Sequence, residues 1–108
     1  MNIKTVKEYE YYRKNWRDYS NRLKSEVLKV LPDAEVYVFG SVVRGNTHPT
    51  SDIDVLIVSR EFKNIKKRIE THAQLRLLFL DIPFEFHLIT PEKFPFYKKM
   101  AKEAIVRV

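Results

Sequence analysis

Apolar residues recur over the first third of the chain at Val6, Tyr9, Trp16, Tyr19, Leu23, Val27 and Val30, mostly at steps of three and four. That is helical spacing, with Lys, Arg, Asp and Asn filling the other face. Thr5-Val6-Lys7-Glu8 has the Thr-x-x-Glu order of a capping box. Pro32 marks the stop, so the pattern predicts a first helix of about seven turns. Val36-Tyr37-Val38-Phe39 reads as a short, largely buried strand punctuated by Gly40. Ser41 to Gly45 leaves room for little more than one helical turn before a polar loop through Pro49 and Thr50. Ile53, Val55 and Ile57 alternate with Asp52, Asp54 and Leu56, the period of a second strand. Phe62, Ile65, Ile69, Ala73, Leu77 and Leu80 return to helical spacing. Phe84 to Ile89 reads as a third strand entered through Pro83. Thr90-Pro91 looks like a helix cap followed by proline at the first helical position, and Pro95 keeps that last helix short or interrupted. Ala104 to Val108 fits a helix end or a small strand.

The order is helix, strand, turn, strand, helix, strand, helix, which predicts an α/β (α+β) layer without linker, repeat or low-complexity tract. The 108 residues suffice for a single domain, 1–108, with one modest core. A 44% hydrophobic content with 13% aromatic residues fits a globular chain rather than a disordered one. No run approaches the ~18 apolar residues of a membrane span, and Met1 to Thr5 lacks the apolar stretch of a signal peptide. Cysteine is absent, which excludes disulfide scaffolds and thiolate metal sites. The expectation is a soluble, cytoplasmic protein with no membrane partner. The charge of +6, from 20 Lys+Arg against 14 Asp+Glu, raises the odds of a phosphate-bearing partner. A solvated Lys/Glu-rich surface accounts for it as well.

The chemistry concentrates in Gly40-Ser41-Val42-Val43-Arg44-Gly45 and Asp52-Ile53-Asp54. Strand alternation would bring Asp52 and Asp54 out on one face. Carboxylates so close repel, and a hard divalent cation, Mg²⁺ or Mn²⁺, removes that penalty. Glycine after a buried strand lets backbone approach a ligand closely. Ser41 would open the short turn with its hydroxyl and exposed N–H groups toward an anion. Arg44 could add a charge-assisted contact or brace the loop. Each piece alone also reads as a turn, a strand end or a surface ion pair; their order at the ends of adjacent strands is what converges.

Gly40-Ser41-x-x-Arg44-Gly45 with Ser51-Asp52-Ile53-Asp54 resembles the signature of the DNA polymerase β-like nucleotidyltransferase superfamily. The short chain and its element order are similar to the minimal nucleotidyltransferase branch. The resemblance implies the nucleotidyltransferase fold, a small mixed β-sheet flanked by helices. It also implies two Mg²⁺ ions and transfer of a nucleoside monophosphate from an NTP, with ATP the expected donor, to a hydroxyl acceptor. The family places a third carboxylate on the following strand, and here Glu85 occupies that place, one methylene longer than the usual aspartate. The implied metal set is Asp52, Asp54 and Glu85, with Gly40, Ser41 and Arg44 on the nucleotide. In the minimal branch the acceptor commonly belongs to a small helical protein of the HEPN class, and the pair resembles a toxin–antitoxin system.

Other readings stay open. Loss of catalysis at Glu85 would leave an antitoxin that acts by contact, and an incidental Asp-x-Asp would leave a basic RNA-binding domain. A homodimer is also compatible. His87 shares the Glu85 side of its strand and reads as a polar sheet residue or a neighbour of the metal. His48 reads as a loop residue and His72 as structural. Lys63, Lys66, Lys67 and Arg68 read as a solvated helix face or an RNA or partner patch. Tyr9, Tyr11, Tyr12, Trp16 and Tyr19 read chiefly as packing.

Overall fold

The computed structural model describes residues 4–108, so Met1, Asn2 and Ile3 of the polar amino terminus lie outside the described residues. Two helices, α1 (Val6–Lys14) and α2 (Trp16–Val30), stand where one long helix was predicted. The break is Asn15. Its side-chain amide donates to the Tyr11 carbonyl at 2.9 Å, and its backbone N–H donates to the same carbonyl at 3.1 Å. A side chain folded onto its own backbone competes with the helix ladder, which is why asparagine favours helix ends. The capping box at the start forms in full: the Glu8 N–H donates to the Thr5 hydroxyl, and the Thr5 N–H donates to the Glu8 carboxylate.

The chain continues through β1 (Glu35–Phe39), the one-turn α3 (Ser41–Arg44), β2 (Ile53–Val58) and a 3-10 turn at Arg60–Lys63. Then come α4 (Ile65–Leu78), β3 (Phe84–Ile89), a second 3-10 turn at Pro91–Lys93, α5 (Phe94–Met100) and β4 (Ile105–Arg107). The closing segment is therefore strand. The sheet order is β3-β2-β1-β4, with β1 antiparallel to both β2 and β4, and β2 parallel to β3. Parallel neighbours need a crossover, and α4 supplies it. This is a mixed sheet flanked by helices, as the family resemblance implies.

Strand alternation divides the core between the two sheet faces. On one face Val36, Val38, Ile53, Val55, Ile57, Phe84, Phe86 and Leu88 pack with Leu23 and Val27 of α2, Leu31 just past its end, and Leu75 of α4. On the other, Phe39, Leu56, Val58 and Ile89 pack with Ala101, Phe94 and Tyr97. Asp33, in the loop between α2 and β1, accepts hydrogen bonds from the Ser59 hydroxyl at 2.8 Å and the Arg60 N–H at 2.9 Å. It thereby ties the end of β2 to the α2 side of the molecule.

An apolar helical stripe ordinarily faces the core. The stripe of α4 does not. Ile65, Ile69, Ala73, Leu77 and Leu80 are exposed, and Phe62 is buried on the preceding 3-10 turn rather than on the helix. Thr71 and Leu75, with Phe79 just beyond the helix end, are the buried residues of this segment. Thr71 is accommodated because its hydroxyl donates to the Lys67 carbonyl at 2.7 Å.

Candidate functional site

β1 ends at Phe39, and Gly40 turns the chain into α3 with φ +81° and ψ −147°. Side-chain-bearing residues pay steric strain there. A Cβ on Gly40 would also fall 2.7 Å from Asp54 Oδ2 and turn that carboxylate aside. The Gly40 carbonyl accepts the N–H groups of Val43 and Arg44, and the Gly45 N–H closes on the Ser41 carbonyl at 2.8 Å. Gly45 takes the left-handed conformation, φ +78°, that commonly ends a helix. Ser41 is half-buried at the first position of the turn, and Arg44 is exposed at the last.

Register assembles the rest. Asp54 pairs with Phe39 on one side and with Glu85 on the other, and Leu56 pairs with His87. A period of two then sets Asp54, Glu85 and His87 on one sheet face. One ligand atom from each lies within 4.8 Å of the other two. His87 Nε2 is 3.8 Å from Asp54 Oδ1 and 3.8 Å from Glu85 Oε1. That nitrogen is buried and makes no hydrogen bond among the described residues. The imidazole is set edge-on against Phe39, 5.2 Å between centroids, and Tyr97 of α5 lies 6.0 Å away.

Asp52 stands one residue ahead of β2, where strand alternation does not reach, and is not a member of that three-residue cluster. It lines a cavity of about 190 Å³ with Lys4, Tyr9, Arg76, Phe79 and Pro83 among its neighbours. Burial first, then the charge of Asp54, pushes the Asp52 carboxyl above the ordinary aspartate range, with Lys4 and Arg76 opposing. Burial, followed by the charge of Asp54 and a hydrogen bond with it, pushes Glu85 up as well, with His87 opposing. The acids are thus held close enough to resist full ionisation together, the situation a cation relieves. Two carboxylates and an orphaned imidazole nitrogen form a donor set that fits a divalent ion. Oxygen donors suit Mg²⁺ and Mn²⁺, and imidazole shifts the preference toward Mn²⁺.

Arg13 was not singled out in the sequence. It is buried on α1, and its guanidinium donates to the carbonyls of Pro49 at 3.1 Å and Ser51 at 3.0 Å. It therefore holds the loop that delivers Asp52. The available signal was a cation between Tyr9 and Trp16 at helical spacing, on the side that packs inward. His48 is exposed in that loop, where its backbone N–H donates to the Ser51 hydroxyl. His72 is half-buried and edge-on to Phe86 at 6.0 Å. Lys63 and Lys66 are exposed, whereas Lys67 and Arg68 are half-buried. Tyr12 and Tyr19 pack on one another with centroids 5.1 Å apart.

Residues 20–108 match the family model of the nucleotidyltransferase domain. The chain belongs to that family and is a nucleotidyltransferase. A crystallised protein provisionally named a nucleotidyltransferase is 34% identical, with a TM-score of 0.74 over 83% of this chain and 97% of that one. A second, from Sulfolobus solfataricus and named in the same provisional way, is 23% identical. Its TM-score is 0.65 over 99% of this chain and 89% of that one, a likeness of fold. No curated protein matches the chain. Among the described residues no helix is long and apolar enough to cross a membrane.

Proposed function

We propose that the chain transfers a nucleoside monophosphate, AMP from ATP, to a hydroxyl of a protein acceptor, with a divalent cation held at Asp54, Glu85 and His87. The observation that carries the reading is the contact of Asp54 with Gly40, since a side chain at Gly40 would displace the carboxylate that pairs with Glu85. The phosphate turn and the carboxylate face are thereby built as one unit. When bound, the cation supplies charge neutralisation for the triphosphate and acidifies the acceptor hydroxyl. Asp52, near enough to feel Asp54, adds a carboxylate beside the cavity. Ser41 offers its hydroxyl to a phosphate, and Gly40 leaves the backbone free to approach it. Arg44 is exposed at the turn and meets ligand only if the nucleotide extends past it.

Phosphoryl transfer asks the protein for positioning and charge stabilisation more than for covalent help. Three features serve positioning: the strand register, the Gly40 contact and the Arg13 clamp on the Asp52 loop. Resemblance to the minimal branch supports Mg²⁺ as the ion in the cell, a second ion with the triphosphate, and a small HEPN-type helical protein as acceptor. In that reading the chain is the antitoxin of the pair. The test is incubation with labelled ATP, Mg²⁺ or Mn²⁺ and a helical protein encoded beside it. Label on the partner, lost with Asp54→Asn, supports the reading; binding of ATP without any transfer refutes it.

A second reading, neutralisation by contact alone, is favoured by the exposed apolar side of α4. Turnover separates the two.

A further inference from the structure

One side of α4 is apolar, exposed and unused by the fold. Ile65, Ile69 and Leu77 expose 63%, 62% and 75% of their surface, Ala73 is exposed in the same row, and Leu80, two residues past the helix end, exposes 64%. Isolated exposed apolar residues need no explanation, but a contiguous row does. The row advances mostly by four residues, so it forms a ridge along the helix with a notch at Ala73, the relief into which another helix packs.

The charges around the ridge choose among occupants. α4 carries Lys66, Lys67, Arg68 and Arg76 against one acid, Glu70, which is 3.9 Å from Lys66. Two copies packed ridge on ridge would bring these cations together, and like-charge juxtaposition suppresses pairing. A bilayer has no use for a notch, and interfacial helices commonly anchor through aromatic residues, of which α4 has none. A helix whose apolar stripe is flanked by carboxylates satisfies both ridge and rim. Arg76 and Leu80 also line the cavity that holds Asp52, so the carboxyl-terminal end of the ridge adjoins that cavity.

We propose that the exposed α4 ridge docks an acid-flanked amphipathic helix of a second protein and holds it beside the Asp52 cavity. This names the surface and chemistry of the partner, and rests on the function proposed above only in taking that partner as the acceptor.

The test uses the full chain without nucleotide or cation. The probes are two synthetic helical peptides with the same Leu/Ile stripe, one flanked by Glu and one by Lys. The Glu peptide is expected to bind at least about tenfold more tightly at low salt. Ile69→Ser with Leu77→Ser should weaken it roughly a hundredfold without lowering the melting temperature, because both side chains are already exposed. Should that double variant melt early, Ala73→Leu serves instead: it adds apolar surface yet fills the notch, so docking falls. Equal affinity for the two peptides, or none for either, overturns the proposal. So does a dimer in sedimentation that the serine variants dissolve, or binding to phosphatidylserine vesicles that Ala73→Leu strengthens. Lost docking with transfer retained sinks this inference alone; docking without transfer sinks the transferase reading alone.

Discussion

Alanine at position 40 tests the link between the phosphate turn and the carboxylate face. The added Cβ meets Asp54 Oδ2 at 2.7 Å, Cγ at 3.6 Å and Cβ at 3.7 Å. The first contact is too short to persist, so the carboxylate must rotate away. The backbone at φ +81° and ψ −147° adds strain of about 1–3 kcal/mol for any L side chain. In a domain of this size each 1 kcal/mol lowers the melting temperature by roughly 4–8 °C. Gly45→Ala is the control, because it has a similar φ of +78° and nothing within 4 Å of its new Cβ. Both variants should lose stability through the backbone, but only Gly40→Ala should also lose Mn²⁺ affinity and transfer. Calorimetric titration with Mn²⁺ and a labelled-ATP assay read the difference. The stability penalties of the two variants should be similar, because the atom met at position 40 is the movable end of the Asp54 side chain and the cost falls on metal binding instead. Equal Mn²⁺ affinity in Gly40→Ala and Gly45→Ala would refute the reasoning.

Other expectations follow the same geometry. Asp54→Asn should abolish transfer while the fold survives, and activity near the wild-type level would dismiss the metal-centred mechanism. Glu85→Gln should retain most ATP binding and lose most turnover, whereas Glu85→Asp keeps part of it; equal turnover in wild type and Glu85→Gln removes Glu85 from the chemistry. Ser41→Ala should weaken ATP binding by about 0.5–3 kcal/mol, the range for a lost hydrogen bond to a charged group, and unchanged affinity by calorimetry would make the turn merely structural. At Asp33, burial raises the carboxyl pKa, but hydrogen bonds from the Arg60 N–H and the Ser59 hydroxyl outweigh it and hold it below the ordinary range. Its stabilisation is therefore present above the ordinary aspartate range and lost as pH falls through the lowered value. The melting-temperature gap between wild type and Asp33→Asn should narrow toward zero in acid, and a gap independent of pH would contradict it.

Much of the fold was legible because alternation and helical period are local signals. The strands around Val38, Val55 and Phe86 fall where the pattern puts them. The division of the first helix was not legible, since it depends on Asn15 choosing the Tyr11 carbonyl over solvent. The α4 stripe misled for a different reason. Period shows that a helix has an apolar side, but the sheet meets the side bearing Thr71 and Leu75, and the direction of the crossover settles which side that is.

The site was legible by residue type and less so by arrangement. Asp54 and Glu85 become neighbours through parallel register, a long-range fact that no spacing within either strand encodes. Asp52 reads as the twin of Asp54 only if the strand begins early enough; it begins at Ile53, and the loop before it is positioned by Arg13 from α1. His87 reads from the sequence as a polar sheet residue or a neighbour of the metal, and the lack of a hydrogen-bond partner for its Nε2 among the described residues is a fact of packing that sequence does not display. Phe39 and Tyr97 fix the ring, while Nε2 is left 3.8 Å from both Asp54 Oδ1 and Glu85 Oε1. Among the described residues nothing hydrogen-bonds that nitrogen. The cation proposed above would meet that nitrogen and both carboxylates together, because one ligand atom of each of Asp54, Glu85 and His87 lies within 4.8 Å of the others.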